Sequence, residues 1–184
     1  MSGLSGVSVL LRRWEQSGRR LRERCRGLTD AEFFWEPAPD CWNIRPDEKH
    51  VGGWSYEYEF APAEPAPVTT LGWRLVHITA GNRVYWNHAF GDGTLTFLDL
   101  VVPHTAADAL EVWAESRRPV TAWLADATDA DLGEMRPTHL PEREMAAGEQ
   151  VRTLVDEQIH HGAEIALLRD LFIRAQPAVG DQPR

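Results

Sequence analysis

The sequence predicts an all-α fold, a four-helix bundle with long inter-helix loops. Four segments carry apolar residues at the spacing of a helix, and a proline-rich stretch over 36–68 separates the first two. The chain has 184 residues, of which 43% are apolar and 26% charged, so it can bury a core without disulfides. We therefore expect a single domain spanning residues 1–184.

The first helix is expected over about 7–27, because Leu10, Trp14, Leu21 and Cys25 form a helical stripe. Residues 1–26 also carry seven arginines against two glutamates, a density typical of nucleic-acid-binding segments. The net charge of the whole chain is nevertheless -9, and its acidic remainder would repel a phosphate backbone. We interpret the arginines as the exposed face of an amphipathic helix and predict no nucleic-acid partner.

The stretch 36–68 holds six of the twelve prolines, together with Gly52 and Gly53, which excludes a helix over most of it. A connection of this length is usually functional or disordered. Five aromatic residues favour an ordered loop that packs on the body of the protein: Trp42, Trp54, Tyr56, Tyr58 and Phe60.

The other three helices are expected over about 70–90, 105–126 and 148–174. Thr69 or Thr70 is placed to cap the helix over 70–90, and Thr105 is placed to cap the helix over 105–126. Pro119 should kink the helix over 105–126. The polar residues 176–184, with two prolines, are expected to form a frayed tail.

Cys25 and Cys41 form no CxxC motif, and the amino-terminal apolar stretch is too short for a secretory signal. No apolar run approaches the roughly 18 residues of a membrane span. These features predict a cytoplasmic protein without a membrane partner.

The fourth helix carries the most informative pattern. His161 lies at the centre of its apolar stripe, and Glu157 lies one turn earlier on the same stripe. His77 occupies the same kind of position on the second helix. A carboxylate in an apolar stripe is costly unless something pairs with it. Two imidazoles and one carboxylate are a common protein ligand set for a divalent metal with open positions, so we predict that His77, Glu157 and His161 bind one metal ion.

Other interpretations of these residues remain open from the sequence. Each histidine could be an ordinary hydrogen-bonded core residue, and Glu157 with His161 could be a buried pair. Asp156 and His160 share the same spacing and form a rival ligand pair. Glu164 and His160 are candidates to orient a ligand or to act as a base.

The sequence resembles the DinB superfamily, also described as DinB/YfiT-like metalloenzymes. The segments that carry the resemblance are LTDAEFFWEP at 28–37, CWNIRP at 41–46, TTLGWRLVHI at 69–78 and EQIHHGAEIALLRDL at 157–171. The resemblance implies a four-helix bundle with a metal near one end of its core, often dimeric. Many members have three histidine ligands, whereas here Glu157 takes the first position of the last pair. That pattern is similar to the branch of mycothiol-dependent maleylpyruvate isomerase, whose ligands are His, Glu and His.

The resemblance implies a thiol-dependent S-transferase or isomerase that uses a low-molecular-weight thiol such as mycothiol or bacillithiol, with a small-molecule substrate. Zn²⁺ is the expected metal, although Ni²⁺, Fe²⁺ and Mn²⁺ accept the same ligands. Arg45, Arg74 and Arg83 are candidates to hold carboxylates, and the loop 36–68 to cover the site. Two alternatives stay open: a hydrolase that uses metal-activated water with Glu164 as base, and a non-catalytic, metal-stabilised binding or stress protein.

Overall fold

A computed structural model describes residues 4–59, 61 and 64–176. The predicted all-α class is confirmed. The helices are α1 (Gly6–Arg24), α2 (Asp30–Phe33), α3 (Leu71–Phe90), α4 (Ala106–Ser116), α5 (Arg118–Asp126) and α6 (Ala147–Ala175). Two antiparallel strand pairs lie in the connections: β1 (Ile44–Pro46) with β2 (Trp54–Tyr56), and β3 (Met135–Pro137) with β4 (Glu144–Ala146). Single turns of 3-10 helix span Val51–Gly53, Phe97–Asp99 and Asp131–Gly133.

The long helices lie close to their expected positions, with one difference. The helix expected over 105–126 with a kink at Pro119 is divided into two helices, and the interruption lies at Arg117, two residues before the proline. Pro119 has no N–H, and its ring would collide with a carbonyl one turn earlier, so the proline is accommodated only in the first turn of a new helix. The first helix ends at Arg24, three residues before the expected end at 27.

Helix α6 packs against both α1 and α3, while α4 packs on α3 and α5 on α1. The core between them is built around large side chains that are almost fully buried, among them Trp14, Phe33, Trp113 and Ile165. A threonine caps each of two helices, as expected: Thr70 Oγ1 accepts from the N–H of Trp73 on α3, and Thr105 Oγ1 from that of Asp108 on α4. The position of α6 between α1 and α3 brings Glu157 and His161 beside His77 of α3.

The connection over 36–68 is folded against α3 in its described part. Trp42 joins the start of α3 through two backbone hydrogen bonds, Trp42 N to Val68 O and Thr70 N to Trp42 O. Further along, β1 and β2 form a short hairpin. Phe60 and the tail expected to fray beyond residue 176 lie outside the described residues.

Both cysteines are buried and free. Within the described part of the chain, no helix combines the length and the apolar character needed to cross a bilayer.

Candidate metal centre

The site lies where α3 packs against α6. His77 comes from α3, and Glu157 and His161 come from one face of α6. His161 is buried, with 8% of its side chain exposed, whereas His77 and Glu157 are 26% and 42% exposed. The three side chains therefore occupy the edge of the core, and the site is open to solvent on the side of Glu157.

The structure brings the three predicted residues together. Glu157 Oε2 lies 3.1 Å from His161 Nε2 and 3.5 Å from His77 Nε2. One donor atom from each residue lies within 4.8 Å of the others. Two ligands on a tetrahedral zinc ion, each bonded at about 2.1 Å, are separated by about 3.4 Å. The observed spacing thus fits a shared divalent cation.

The protons on His161 give a second test of that fit. Its Nδ1 lies 2.6 Å from Glu164 Oε2, while its Nε2 faces Glu157. A neutral imidazole carries only one N–H, so one of the two nitrogens would direct a lone pair at a carboxylate. That repulsion disappears if the ring is an imidazolium or if a cation sits between Nε2 and Glu157. The donor set therefore fits a metal ion on Nε2, with the proton kept on Nδ1.

Without a metal, these contacts shift the titration of both groups. Hydrogen bonds from His161 and then His77 hold the pKa of Glu157 well below its usual range. Burial lowers the pKa of His161, but hydrogen bonds to Glu157 and Glu164 outweigh burial and raise it overall. The site thus stabilises positive charge at the point that the two histidines and Glu157 share.

Glu164 orients His161 and is itself held by Arg74, whose Nε lies 3.0 Å from Glu164 Oε2. Arg74 Nη1 also lies 3.3 Å from His161 Nδ1, and this contact would require Nδ1 to accept a hydrogen bond rather than donate one. The shorter contact of Nδ1 with Glu164 decides for donation to the carboxylate. Such a carboxylate behind a histidine fixes the ring and its tautomer.

Trp73 supports the other histidine. Its ring stacks on His77 with centroids 4.8 Å apart and planes within 10° of each other. The indole N–H of Trp73 donates to the carbonyl of Glu57 at 2.5 Å, and Trp42 and Tyr56 pack around the same ring. The hairpin in the 36–68 connection therefore forms one wall beside the site.

Comparisons with known proteins identify the family and the fold of the chain. The family model of the DinB superfamily matches residues 13–165. The chain belongs to the DinB superfamily. The crystal structure of a DinB-like protein from Bacillus cereus ATCC 10987 superposes with a TM-score of 0.58 at 20% sequence identity, covering 88% of this chain and 89% of that one. This likeness shows a shared fold. No curated protein sequence matches the chain.

The rival ligand pair receives less support in this DinB-superfamily chain. Asp156 is exposed and belongs to none of the possible metal-binding groups among the described residues. His160, with 66% of its side chain exposed, does approach His161 and Glu164, and a carboxylate oxygen of Glu164 lies 3.5 Å from it. Arg74 already supplies a positive charge to the cluster that His160 forms with His161 and Glu164. The geometry therefore favours Glu157 and His161 as the ligand pair.

Of the three arginines considered for binding carboxylates, only Arg74 lies at the site. Arg45 is paired with Glu36 and Glu57, and Arg83 is exposed on α3. Tyr85 is an additional neighbour that the sequence did not reveal. Burial and then the charge of Glu157 raise the pKa of its phenol, which therefore stays protonated at neutral pH.

The stability of the metal-free protein should depend on pH in a direction that metal reverses. Because the pKa of His161 is raised on folding, its contribution is complete below the unfolded value of about 6.5 and is lost as pH rises through the folded pKa. In chelator, we therefore expect the melting temperature of the wild type, relative to His161→Gln, to fall between pH 6 and pH 8. With zinc, the difference should grow over the same range, because the ion needs unprotonated imidazole.

Thermal unfolding of both proteins across that pH range, with chelator and with zinc, makes the comparison. Parallel pH profiles of wild type and variant in chelator would contradict the imidazolium assignment. Glu157 contributes the opposite dependence at lower pH, since its lowered pKa adds stability above the unfolded value that is lost as pH falls through the folded one.

Proposed function

We propose that the protein is a metal-dependent enzyme that uses a small thiol cofactor and acts as an S-transferase or isomerase. The observation that carries the proposal is the convergence of His77, Glu157 and His161, whose donor atoms are spaced as ligands of one ion. The His, Glu and His set is also the one that the family resemblance associates with mycothiol-dependent maleylpyruvate isomerase. Zinc is the metal that we propose, because two imidazoles and a carboxylate suit it.

Three protein ligands leave room for an exogenous group, and the exposed side of Glu157 gives access to it. The bound ion would supply Lewis acidity that lowers the pKa of a thiol, so that a thiolate forms at neutral pH. Glu164 keeps the proton on Nδ1 of His161 and leaves Nε2 free as a ligand. Arg74 neutralises Glu164, so the charge that remains to balance the ion is that of Glu157.

The aromatic side chains of Trp42, Tyr56, Tyr58 and Trp73 exclude water from one side of the site. Trp73 is 3% exposed and covers one face of His77, while Tyr58, at 55% exposure, lies at the rim of the same cluster. Removing water strengthens electrostatic interactions inside the site. In this proposal the ligands are a small thiol and a small electrophilic substrate, and a homodimer remains a prediction from the family resemblance.

Elemental analysis of protein purified without added metal, followed by thiol-transfer assays, tests the proposal. Mycothiol and bacillithiol would be offered with chlorodinitrobenzene as electrophile. Lewis-acid activation is worth several kcal/mol, so we expect turnover of the zinc-loaded protein to exceed that of metal-stripped protein by about 10²-fold or more.

Two other outcomes would replace the proposal. Hydrolysis of a nitrophenyl ester that needs metal but no thiol would indicate the hydrolase alternative. Stoichiometric metal without turnover in either assay would indicate a metal-stabilised binding protein. The variant His161→Ala should lose the metal-dependent turnover, and His160→Ala serves as its matched control, because it removes an exposed histidine from the same helix.

A further inference from the structure

A buried arginine at the junction of α4 and α5 has no carboxylate partner. Arg117 is 7% exposed. Its Nη2 donates to the backbone carbonyl of Trp14 at 2.8 Å, and its Nη1 donates to the side-chain oxygen of Gln158. In the described part of the chain, no carboxylate lies within ion-pair distance of it. Neutral acceptors satisfy the donors but leave the net charge uncompensated, which is costly in a protein interior.

Aromatic rings hold this guanidinium in place. Its central carbon lies 4.0 Å from the ring centroid of Trp14 and 5.3 Å from that of Trp113. The absence of a side chain at Gly18 also makes room for it, because a Cβ there would collide with the guanidinium. Helix α1 is therefore shaped to accept a positive charge at this point.

A second cation lies on the same indole. The guanidinium carbon of Arg22 is 5.6 Å from the ring centroid of Trp113, and Arg22 makes no ion pair with any described residue. Burial, and then the charge of Arg22, lower the pKa of Arg117 to about 10, so Arg117 stays charged at neutral pH. Two like charges thus share one aromatic side chain without an anion between them.

Arg117 and Arg22 line a surface cleft of about 650 Å³ between α1 and α5, which we call the arginine cleft. Arg19 and Arg118 line it as well, against a single acidic residue, Glu15. The ion pairs of Arg19 and Arg118, at 3.8 Å to Glu15 and Glu115, are exposed and weak. Four arginines are thus concentrated in one cleft of a chain whose net charge is -9.

We propose that the arginine cleft binds a phosphoryl oxyanion, either free phosphate or the phosphomonoester group of a small molecule. The planar guanidinium fork of the exposed Arg22 matches the oxygens of a phosphate, and a dianion beside it would relieve the repulsion between Arg22 and Arg117. A nucleic acid fits less well, because the acidic remainder of the chain repels an extended phosphate backbone. This site is separate from the metal centre, with which it shares no residue.

Calorimetric titration of the purified protein with inorganic phosphate and with phenyl phosphate, at fixed ionic strength, tests this inference. We expect saturable binding that weakens about tenfold or more in Arg22→Gln, because a hydrogen bond between a guanidinium and a phosphate is stronger than one between neutral groups. Arg12→Gln removes the same charge from an exposed position of α1 outside the cleft and should bind within about twofold of the wild type. His161→Gln, which alters the metal centre, should also bind normally.

The outcomes separate the sources of the ligand. Tighter binding of phenyl phosphate supports a phosphomonoester, and equal affinity supports free phosphate. The inference is overturned if the wild type shows no saturable binding, if Arg12→Gln loses as much affinity as Arg22→Gln, or if His161→Gln abolishes binding and so places the anion on the metal. Preferential binding of a short oligonucleotide over phenyl phosphate would overturn it as well.

Discussion

Replacing His161 with alanine is expected to abolish stoichiometric metal binding, whereas the same replacement of its neighbour His160 should leave the metal content unchanged. The two histidines are adjacent on α6 and chemically identical. Only His161 has Nε2 directed at the point shared with Glu157 and His77, while His160 is largely exposed. The pair of variants therefore separates position in the fold from the presence of a histidine.

The size of the effect follows from sharing the binding free energy among the ligands. Structural zinc sites with four ligands bind with roughly 10–16 kcal/mol, or about 2.5–4 kcal/mol for each ligand. Loss of one ligand then weakens binding by about 10²–10³-fold. Competition against a fluorescent zinc chelator, with elemental analysis of the protein after dialysis, measures this change.

A second variant keeps the result interpretable if His161→Ala folds poorly. Glu157→Gln preserves the shape of a half-exposed side chain and removes only its charge, so we expect a similar loss of metal with little change in fold. Circular dichroism of each variant verifies the helices. Equal metal content in the wild type, His161→Ala and Glu157→Gln would exclude the site, and loss of metal only in His160→Ala would favour the rival pair with Asp156.

The convergence of His77, Glu157 and His161 could be predicted because local rules placed each of them on a buried helix face. The i, i+4 spacing puts Glu157 and His161 on one face of any helix, and a carboxylate there needs a partner. His77 was found by the same reasoning on the second helix. The contact between α3 and α6 is tertiary, but helices with apolar stripes centred on these residues must bury them against each other.

The sequence names Glu164 as a candidate to orient a ligand and Arg74 as a candidate to hold a carboxylate, but the contacts of these supporting residues could not be predicted in the same way. Arg74 and Glu164 meet across two helices, and their role depends on the rotation of each helix about its axis. The register of the β1–β2 hairpin decides that the carbonyl of Glu57 receives the indole N–H of Trp73. No periodic pattern in a proline-rich segment specifies that register.

The burial of Arg117 likewise could not be predicted from the sequence. The pattern of the seven arginines at the start of the chain predicts one exposed helix face, and all seven are exposed. The sequence places Arg117 far from them, in a segment expected as one helix with a kink at Pro119. The break before Pro119 brings Arg117 under α1, beside Arg22 and two tryptophans. The arginine-rich face of α1, interpreted as a solvated surface, thus adjoins a buried arginine, Arg117, which comes from the junction of α4 and α5.

Replacing Arg169 with methionine is expected to lower the free energy of unfolding by about 3–5 kcal/mol, because it leaves Glu32 buried without its counter-ion. Arg169 Nε lies 2.8 Å from Glu32 Oε1, and the two side chains are 15% and 7% exposed. Glu32 also closes the capping box of α2 by accepting from Thr29, so the pair fastens α2 to α6. Urea unfolding monitored by tryptophan fluorescence gives the measurement.

Two further variants show whether burial is the cause. Arg152→Met breaks an ion pair on the same helix at the same 2.8 Å distance, but its partners are 58% and 55% exposed, so the cost should stay below about 1 kcal/mol. The double variant Arg169→Met with Glu32→Gln should recover part of the loss, since no unpaired charge remains buried. If Arg169→Met cost no more than Arg152→Met, α2 would be held by its apolar contacts, chiefly Phe33 in the core. If the double variant recovered nothing, the lost stability would belong to the hydrogen bond from Arg169 to the carbonyl of Arg24 at the end of α1 rather than to the charge on Glu32.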